Sequence, residues 1–215
     1  MHFRDRREAG QLLAKELAAL RGRKDVIVLG VPRGGVVVAY EVAQALGAPL
    51  DVYITRKIGA PNNPELAIGA AASDGTLVLD HDLIERIGVP DRYVQEETAR
   101  QRQEIKRRLA AYRGSRPEAD LHGKTVVLVD DGVATGATTL ASLRAVKARQ
   151  PAKLILAVPV GPEDTIQVLA SEADEVVCLY TPDLFWAVGA FYSAFDQTTD
   201  AEVIQLLQEP GTLTQ

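Results

Sequence analysis

Apolar and polar positions along this 215-residue chain alternate between a helical period and short unbroken apolar runs. Over residues 4–20, Ala9, Leu12, Leu13, Leu17 and Leu20 recur at three- and four-residue spacing, which predicts an amphipathic helix. Val26 to Leu29 is a continuous apolar run of the kind seen in strands buried on both faces, and it closes in Gly30-Val31-Pro32-Arg33-Gly34-Gly35. A helix is predicted over 36–46, ending at Gly47, then a strand over 50–55 and a Gly/Pro/Asn-rich loop over 59–64. Two short strands, 66–72 and 76–79, flank a hairpin turn at Asp74-Gly75. Residues 91–113 are densely charged, with sparse apolar positions at Val94, Ile105, Leu109 and Tyr112, and predict a long exposed helix whose Arg and Glu form a solvated face. A partner or subunit surface is the less favoured reading of that face. After a polar connector (114–123), strand 124–130, a helix, strand 153–158, helix 163–170 and strand 175–179 complete a βαβ alternation. The expected fold class is α/β: a doubly wound, mostly parallel sheet flanked by helices. No repeat or linker divides the chain, so residues 1–215 are expected to form a single domain. Its core spans about 24–180, with a helical insertion at about 82–115.

The chemistry concentrates in KTVVLVDDGVATGATTLAS, residues 124–142. The apolar run Val126–Val129 stops at two carboxylates, Asp130 and Asp131. A loop of small and hydroxyl residues follows (Gly132-Val133-Ala134-Thr135-Gly136-Ala137-Thr138-Thr139), and apolar helical spacing resumes at Leu140, Leu143 and Val146. A strand, a flexible turn and a helix N-terminus make a phosphate cradle, because backbone N–H groups point outward and the helix dipole favours an anion. The two acids would repel that phosphate, so they are better placed to accept hydrogen bonds from sugar hydroxyls or to hold Mg²⁺ through water. An ordinary strand-to-helix turn with a polar cap is the simpler alternative, but a cap does not require paired acids followed by Thr-Gly.

Two further predicted strand ends carry suitable residues. Gly34-Gly35 permits close approach of amides to an anion, and Arg33 adds a planar donor; equally, glycines after a strand can simply make a turn. Arg56-Lys57 ends the second predicted strand, beside a Gly/Pro-rich loop (Gly59 to Glu65) able to close over a substrate.

Composition narrows the class. With 47% hydrophobic and 25% charged residues the chain is ordinary globular material, and a net charge of -5 leaves no basic footprint for nucleic acid. No apolar stretch reaches the ~18 residues of a membrane helix, and the charged start (Arg4 to Glu8) is not followed by a signal-peptide core. The one cysteine, Cys178, lies in an apolar strand-like run and reads as core rather than nucleophile. His2, His81 and His122 show no metal-ligand spacing. The expectation is a cytoplasmic protein with no nucleic-acid or membrane partner.

Segment 124–142 resembles the phosphoribosyl-pyrophosphate (PRPP) motif of type I phosphoribosyltransferases: a hydrophobic strand, two acids, a few variable residues, then Thr-Gly, a small residue and Thr. The resemblance implies a Mg²⁺-dependent transfer of phosphoribosyl to a nitrogenous base, as in nucleotide salvage, with release of pyrophosphate and a homodimeric assembly. It places the ribose hydroxyls on Asp130 and Asp131. Ala134, Thr135, Gly136, Ala137, Thr138 and Thr139 form the 5′-phosphate loop. Arg33, Gly34 and Gly35 go to pyrophosphate, and Arg56 and Lys57 act on it as it leaves. Asp130, Asp131, Arg56 and Lys57 are then the expected catalytic residues. The fold resemblance spans about 26–179, and the flanks (1–22 and 181–215) would form a hood over the acceptor.

In that hood, Asp183-Leu184-Phe185-Trp186-Ala187-Val188-Gly189 carries the only tryptophan, with Phe191, Tyr192 and Phe195 close behind. The cluster either stacks a planar base or packs the N-terminal helix. The segment is similar to the hood of hypoxanthine-guanine phosphoribosyltransferases, which implies base contacts at Phe185, Trp186 and Val188, and a metal contact at Asp183 (or Asp196) beside Asp130 and Asp131. Two positions depart from that group. Ala134 stands where a third acid would act as general base, as in adenine and uracil phosphoribosyltransferases, and Pro159-Val160 replaces a purine-reading lysine. A PRPP- or nucleotide-sensing regulator without catalysis is the alternative. A dinucleotide-binding domain is excluded because residues 30–35 lack G-x-G-x-x-G spacing.

Overall fold

A computed structural model describes residues 1–114 and 116–209. Helix α1 (Arg6–Glu16) begins where the Asp5 carboxylate accepts the Glu8 amide, and a short 3₁₀ turn (Ala18–Leu20) finishes the predicted first helix. Then follow β1 (Val26–Gly30), α2 (Gly34–Leu46), β2 (Leu50–Val52), β3 (Thr55–Ala60), β4 (Asn63–Ala72), β5 (Leu77–Leu79), α3 (His81–Arg86) and α4 (Asp91–Arg113). The second half holds β6 (Thr125–Val129), α5 (Ala137–Ala148), β7 (Lys153–Val160), α6 (Glu163–Ala170), β8 (Glu175–Tyr180) and α7 (Asp200–Gln208).

Five strands form a parallel sheet in the order β2-β1-β6-β7-β8. Alternate residues of each strand supply two separate cores. Val26, Val28, Val127, Val129 and Ile155 face α1, α2 and α7, while Ile27, Leu29, Val126, Leu128 and Leu156 face α5 and α6. This explains the unbroken apolar runs: both faces of the sheet are buried. From β1 the chain winds one way to β2, and from β6 it winds the other way to β7 and β8. The switch point, where ligands settle in such folds, therefore lies beyond the carboxyl ends of β1 and β6.

The predicted strand 50–55 is two strands. β2 stays in the parallel sheet, and after Tyr53-Ile54 the chain enters a second, antiparallel sheet of order β3-β4-β5. The predicted loop 59–64 is accordingly a tight hairpin, with only Pro61 and Asn62 between β3 and β4. The apolar residues Ile58, Ala60 and Ile68 bury one side of this hairpin against Ile84, Val89 and Val94 of the α3–α4 region. Register shifts flank Gly59. A Cβ there would meet the Pro64 carbonyl oxygen at 2.5 Å and its Cα at 2.8 Å, which explains glycine at the bulge. The Asp74-Gly75 turn forms as expected, with Gly75 at φ 84° and the Asp74 carboxylate accepting the Thr76 amide at 2.8 Å.

Helix α4 has the predicted bounds but is not solvated throughout. Ile105 and Tyr112 pack into the main core, and Arg113 is buried against Asp51 at 2.9 Å. Cys178 is half-buried, with its thiol donating to the Tyr180 carbonyl and its pKa raised by desolvation. Among the described residues no helix is long and apolar enough to cross a membrane.

Candidate active site

The β6 residues Val126–Val129 are fully buried, so the chain leaves the core at the sheet edge, and Asp130 and Asp131 are the first residues it presents there. The Asp130 carboxylate accepts the Asp131 amide at 2.9 Å. Desolvation, aided by the negative charge of Asp131, raises the Asp130 carboxyl well above the ordinary carboxylate range. Asp131 is held differently. Its Oδ2 accepts Arg6 Nε at 2.7 Å, and its carbonyl accepts the Tyr192 hydroxyl at 2.6 Å. Arg6 is fixed in turn, with its guanidinium 3.8 Å from the Phe195 ring centroid and Nη1 donating to the Asp196 carbonyl at 2.8 Å. Segments from both ends of the fold thus grip the second acid.

Two helix N-termini meet these acids from adjacent strands. Gly136, in the left-handed region at φ 72°, turns the chain into α5. The first-turn amides of Ala137, Thr138 and Thr139 make no hydrogen bond to a described residue, so they remain available as anion donors. The same holds for Gly34 and Gly35, which are the first turn of α2 rather than a loop before it. A Cβ on Gly35 would meet the Asp130 Cα and the Val129 carbonyl, each at 2.9 Å, so glycine here lets the two strand ends close on each other.

The remaining cations come from β3, whose Arg56 and Lys57 stand one sheet away from where a parallel-strand end would have put them. They border a cleft of about 450 Å³ that also reaches Val31, Pro32 and Thr138. Arg56 Nε donates to the Gln101 amide oxygen at 3.0 Å. Arg33 turns toward α7, with Nη1 3.7 Å from Asp200, a carboxylate that also accepts the Tyr112 hydroxyl at 2.6 Å. Burial and that bond push the Tyr112 phenol up to about 12.

A family model for the phosphoribosyl transferase domain matches residues 6–196. The chain belongs to this family. The phosphoribosyl transferase domain here is also 48% identical over 205 residues to two Mycobacterium tuberculosis proteins, from strains CDC 1551 and H37Rv, each provisionally named a phosphoribosyl transferase. The match covers 95% of this chain and 46% of each relative, so the chain spans about half the length of the curated relatives it matches. The crystal structure of TT1426 from Thermus thermophilus shares 48% identity and superposes with a TM-score of 0.88, covering 96% of this chain and 98% of that one.

Within the phosphoribosyl transferase domain, the hood residues separate. Phe185 stacks on Phe191 with ring centroids 5.3 Å apart, joining Phe3, Tyr180, Tyr192 and Phe195 in an aromatic core. Trp186 stands outside it, 86% exposed. Val188 leans over the loop that follows β6, since a Cβ on Gly132 would meet its side chain at 2.5 Å. The aromatic cluster therefore does pack the N-terminal segment; Val188 is half-buried against the same cluster, and Trp186 is left for other contacts. Asp183 is exposed, and no three His, Cys, Asp or Glu side chains among the described residues converge as a metal cage. The structure does not gather Asp183 with Asp130 and Asp131. Ala134 and Thr135 are exposed on the loop, whereas Thr139 is buried. Arg6 and Tyr192 carry no local signal as site residues, because each reaches Asp131 only through tertiary packing.

Proposed function

We propose that this domain transfers the phosphoribosyl group of PRPP to a nitrogenous base and releases pyrophosphate. The observation that carries the reading is the pairing, at one switch point, of two adjacent acids with two sets of helix-turn amides that make no hydrogen bond to a described residue. Thr135, Gly136, Ala137, Thr138 and Thr139 would bind the 5′-phosphate. The ribose hydroxyls would donate to Asp130 and Asp131; Arg6 occupies Oδ2 of Asp131, leaving Oδ1 to accept. Gly34 and Gly35 amides, Arg33, Arg56 and Lys57 would take up the charge that grows on pyrophosphate as the C1–O bond breaks. Positioning and electrostatic stabilisation then supply most of the rate, with no covalent intermediate.

Magnesium belongs to this reading as part of the PRPP complex. Mg²⁺ keeps several waters and binds through one or two carboxylates plus substrate phosphates. A two-acid site whose Asp130 carboxyl is raised by burial and a neighbouring negative charge fits such an ion, and a three-acid cage is not needed. Asp130 and Asp131 would hold it, and it would neutralise phosphate charge. Trp186, exposed, and Val188, half-buried against the aromatic core with Phe185, would be the hood groups that contact a planar acceptor.

A second reading, a PRPP or nucleotide sensor, draws on the Arg6–Asp131 ion pair, which already satisfies one acid, and on Ala134. The two are separated by a pyrophosphate-release assay with PRPP and Mg²⁺ across purine and pyrimidine bases. Release with one base supports the transferase. Saturable PRPP binding without release from any base supports the sensor.

A further inference from the structure

The charge pattern of helix α4 predicts a solvated insertion, yet one stripe of it walls the cleft beside the acid pair. Arg100, Gln101 and Arg108 of α4 face Arg56 and Lys57 of β3 and Thr138 of α5 across the same space of about 450 Å³. The charged groups described along this lining are four cations and one carboxylate, Glu97. Glu97 is nearly buried and ion-paired with Arg100, and its other oxygen accepts the Gln101 amide at 2.6 Å. Arg108 is held from outside the cleft by Glu104 at 2.9 Å. Arg56 is oriented by a neutral group, the Gln101 oxygen. The helix is pinned to β3, because the Tyr93 hydroxyl donates to the Gly59 carbonyl at the bulge, 3.0 Å away.

An independent feature marks the same cleft. Thr55, which lines it, is 6% exposed, and its buried hydroxyl has no hydrogen-bond partner among the described residues. Buried hydroxyls left unpaired are uncommon and point to a missing acceptor. A hydroxyl donor, three guanidinium groups and an ammonium group around one cavity match a multiply charged oxyanion far better than a neutral base.

We propose that Arg100 and Arg108 of α4 are pyrophosphate-binding residues, acting with Arg56, Lys57 and Thr55 on the diphosphate of the substrate. This rests on the phosphoribosyl-transfer reading and extends its anion site to a helix outside the parallel core. The cleft is continuous with the 5′-phosphate loop through Thr138, so one substrate can engage both.

The test is calorimetric titration of the full chain with two probes, inorganic pyrophosphate and ribose 5-phosphate, using wild type and the double variant Arg100→Gln/Arg108→Gln. Arg108 pairs with Glu104 in a partly exposed ion pair, whose loss changes stability little, and with Arg100 replaced the nearly buried Glu97 keeps the Gln101 amide as a donor; thermal melts check that the fold persists. Pyrophosphate affinity should fall roughly 10- to 100-fold, the range for lost charge-assisted hydrogen bonds, while ribose 5-phosphate affinity stays unchanged. The wild-type salt dependence should weaken in the variant. Equal pyrophosphate affinity in both proteins, with ribose 5-phosphate still bound, overturns the role of α4 and leaves the transferase reading standing. Failure of wild type to bind either probe overturns both. If Arg100→Lys/Arg108→Lys restores pyrophosphate affinity, the role of α4 stands and charge rather than the guanidinium fork is the operative property.

Discussion

Replacing Gly34 by alanine should separate the site from the fold. Gly34 opens α2 with ordinary helical geometry, and alanine is the better helix former by up to ~1 kcal/mol, so the backbone accepts the change. The obstacle is the Arg6–Asp131 ion pair: a Cβ would overlap Asp131 Oδ2 outright and lie 2.7 Å from both Arg6 Nε and Asp131 Cγ. Ordinary contact begins at 3.4 Å, so the guanidinium must retreat by at least about 0.7 Å and the carboxylate, whose Oδ2 is the nearest atom, by more than about 1 Å. Both are side-chain ends, which makes the displacement inexpensive for stability. A misplacement of ~1 Å at a reacting centre can reduce rate about 100-fold, so Gly34→Ala should weaken PRPP binding or turnover by about 10- to 100-fold. Its Tm should move by no more than ~2–4 °C, equivalent to about 1 kcal/mol at this chain length. Titration with Mg-PRPP and a thermal melt read the two quantities independently. Undiminished PRPP affinity in a folded Gly34→Ala protein would refute the placement of Asp131 in the site.

Three other outcomes follow from the same geometry. Because the folded state raises the Asp130 carboxyl, the native form binds its proton more tightly than the unfolded chain. Stability is therefore lost as pH rises from the ordinary carboxylate range through that raised value. Asp130→Asn should melt a few degrees above wild type at about pH 8, with the gap closing near pH 4; a gap independent of pH would contradict this. Arg113 and Asp51 form a buried pair supported by the Val52 carbonyl and the Ala119 amide. Arg113→Met should lower stability by about 3–5 kcal/mol, and a denaturant midpoint near wild type would show the pair to be dispensable. Trp186→Ala should leave the melting temperature unchanged, since the ring is 86% exposed, while raising KM for the acceptor base; an unaltered KM removes Trp186 from the base site.

The parts of the fold visible in the chain are those governed by local pattern. The apolar runs Val26–Leu29 and Val126–Val129 are buried on both faces, and their abrupt ends at Arg33-Gly34-Gly35 and Asp130-Asp131 do come together at the switch point. The pattern puts Arg56 and Lys57 at a strand terminus, whereas Tyr53-Ile54 is where the chain changes sheet. Both of those residues are buried, so apolar pattern alone continues through the junction. The hairpin at Pro61-Asn62 is hidden by Gly and Pro residues that serve a bulge and a tight turn instead of a loop. In α4, the stripe Tyr93, Glu97, Arg100, Gln101 and Arg108 does recur at helical spacing, but charge density masks it as a solvated face. Helix α7 is absent from the sequence-based reading, although Thr199 and Glu202 form a capping box at its start. Arg6 and Tyr192 lie 125 and 61 residues from Asp131 in sequence, and no local pattern announces such pairings.

The central claim is that Asp130, Asp131 and the Thr135–Thr139 loop form one PRPP site. Its most direct test is calorimetric titration of the chain with PRPP in the presence of Mg²⁺, for wild type and Asp131→Asn side by side. Saturable binding by wild type, weakened about tenfold or more in a folded Asp131→Asn protein, is the predicted result. Absence of binding by wild type, or equal affinity in the two proteins, would contradict the account.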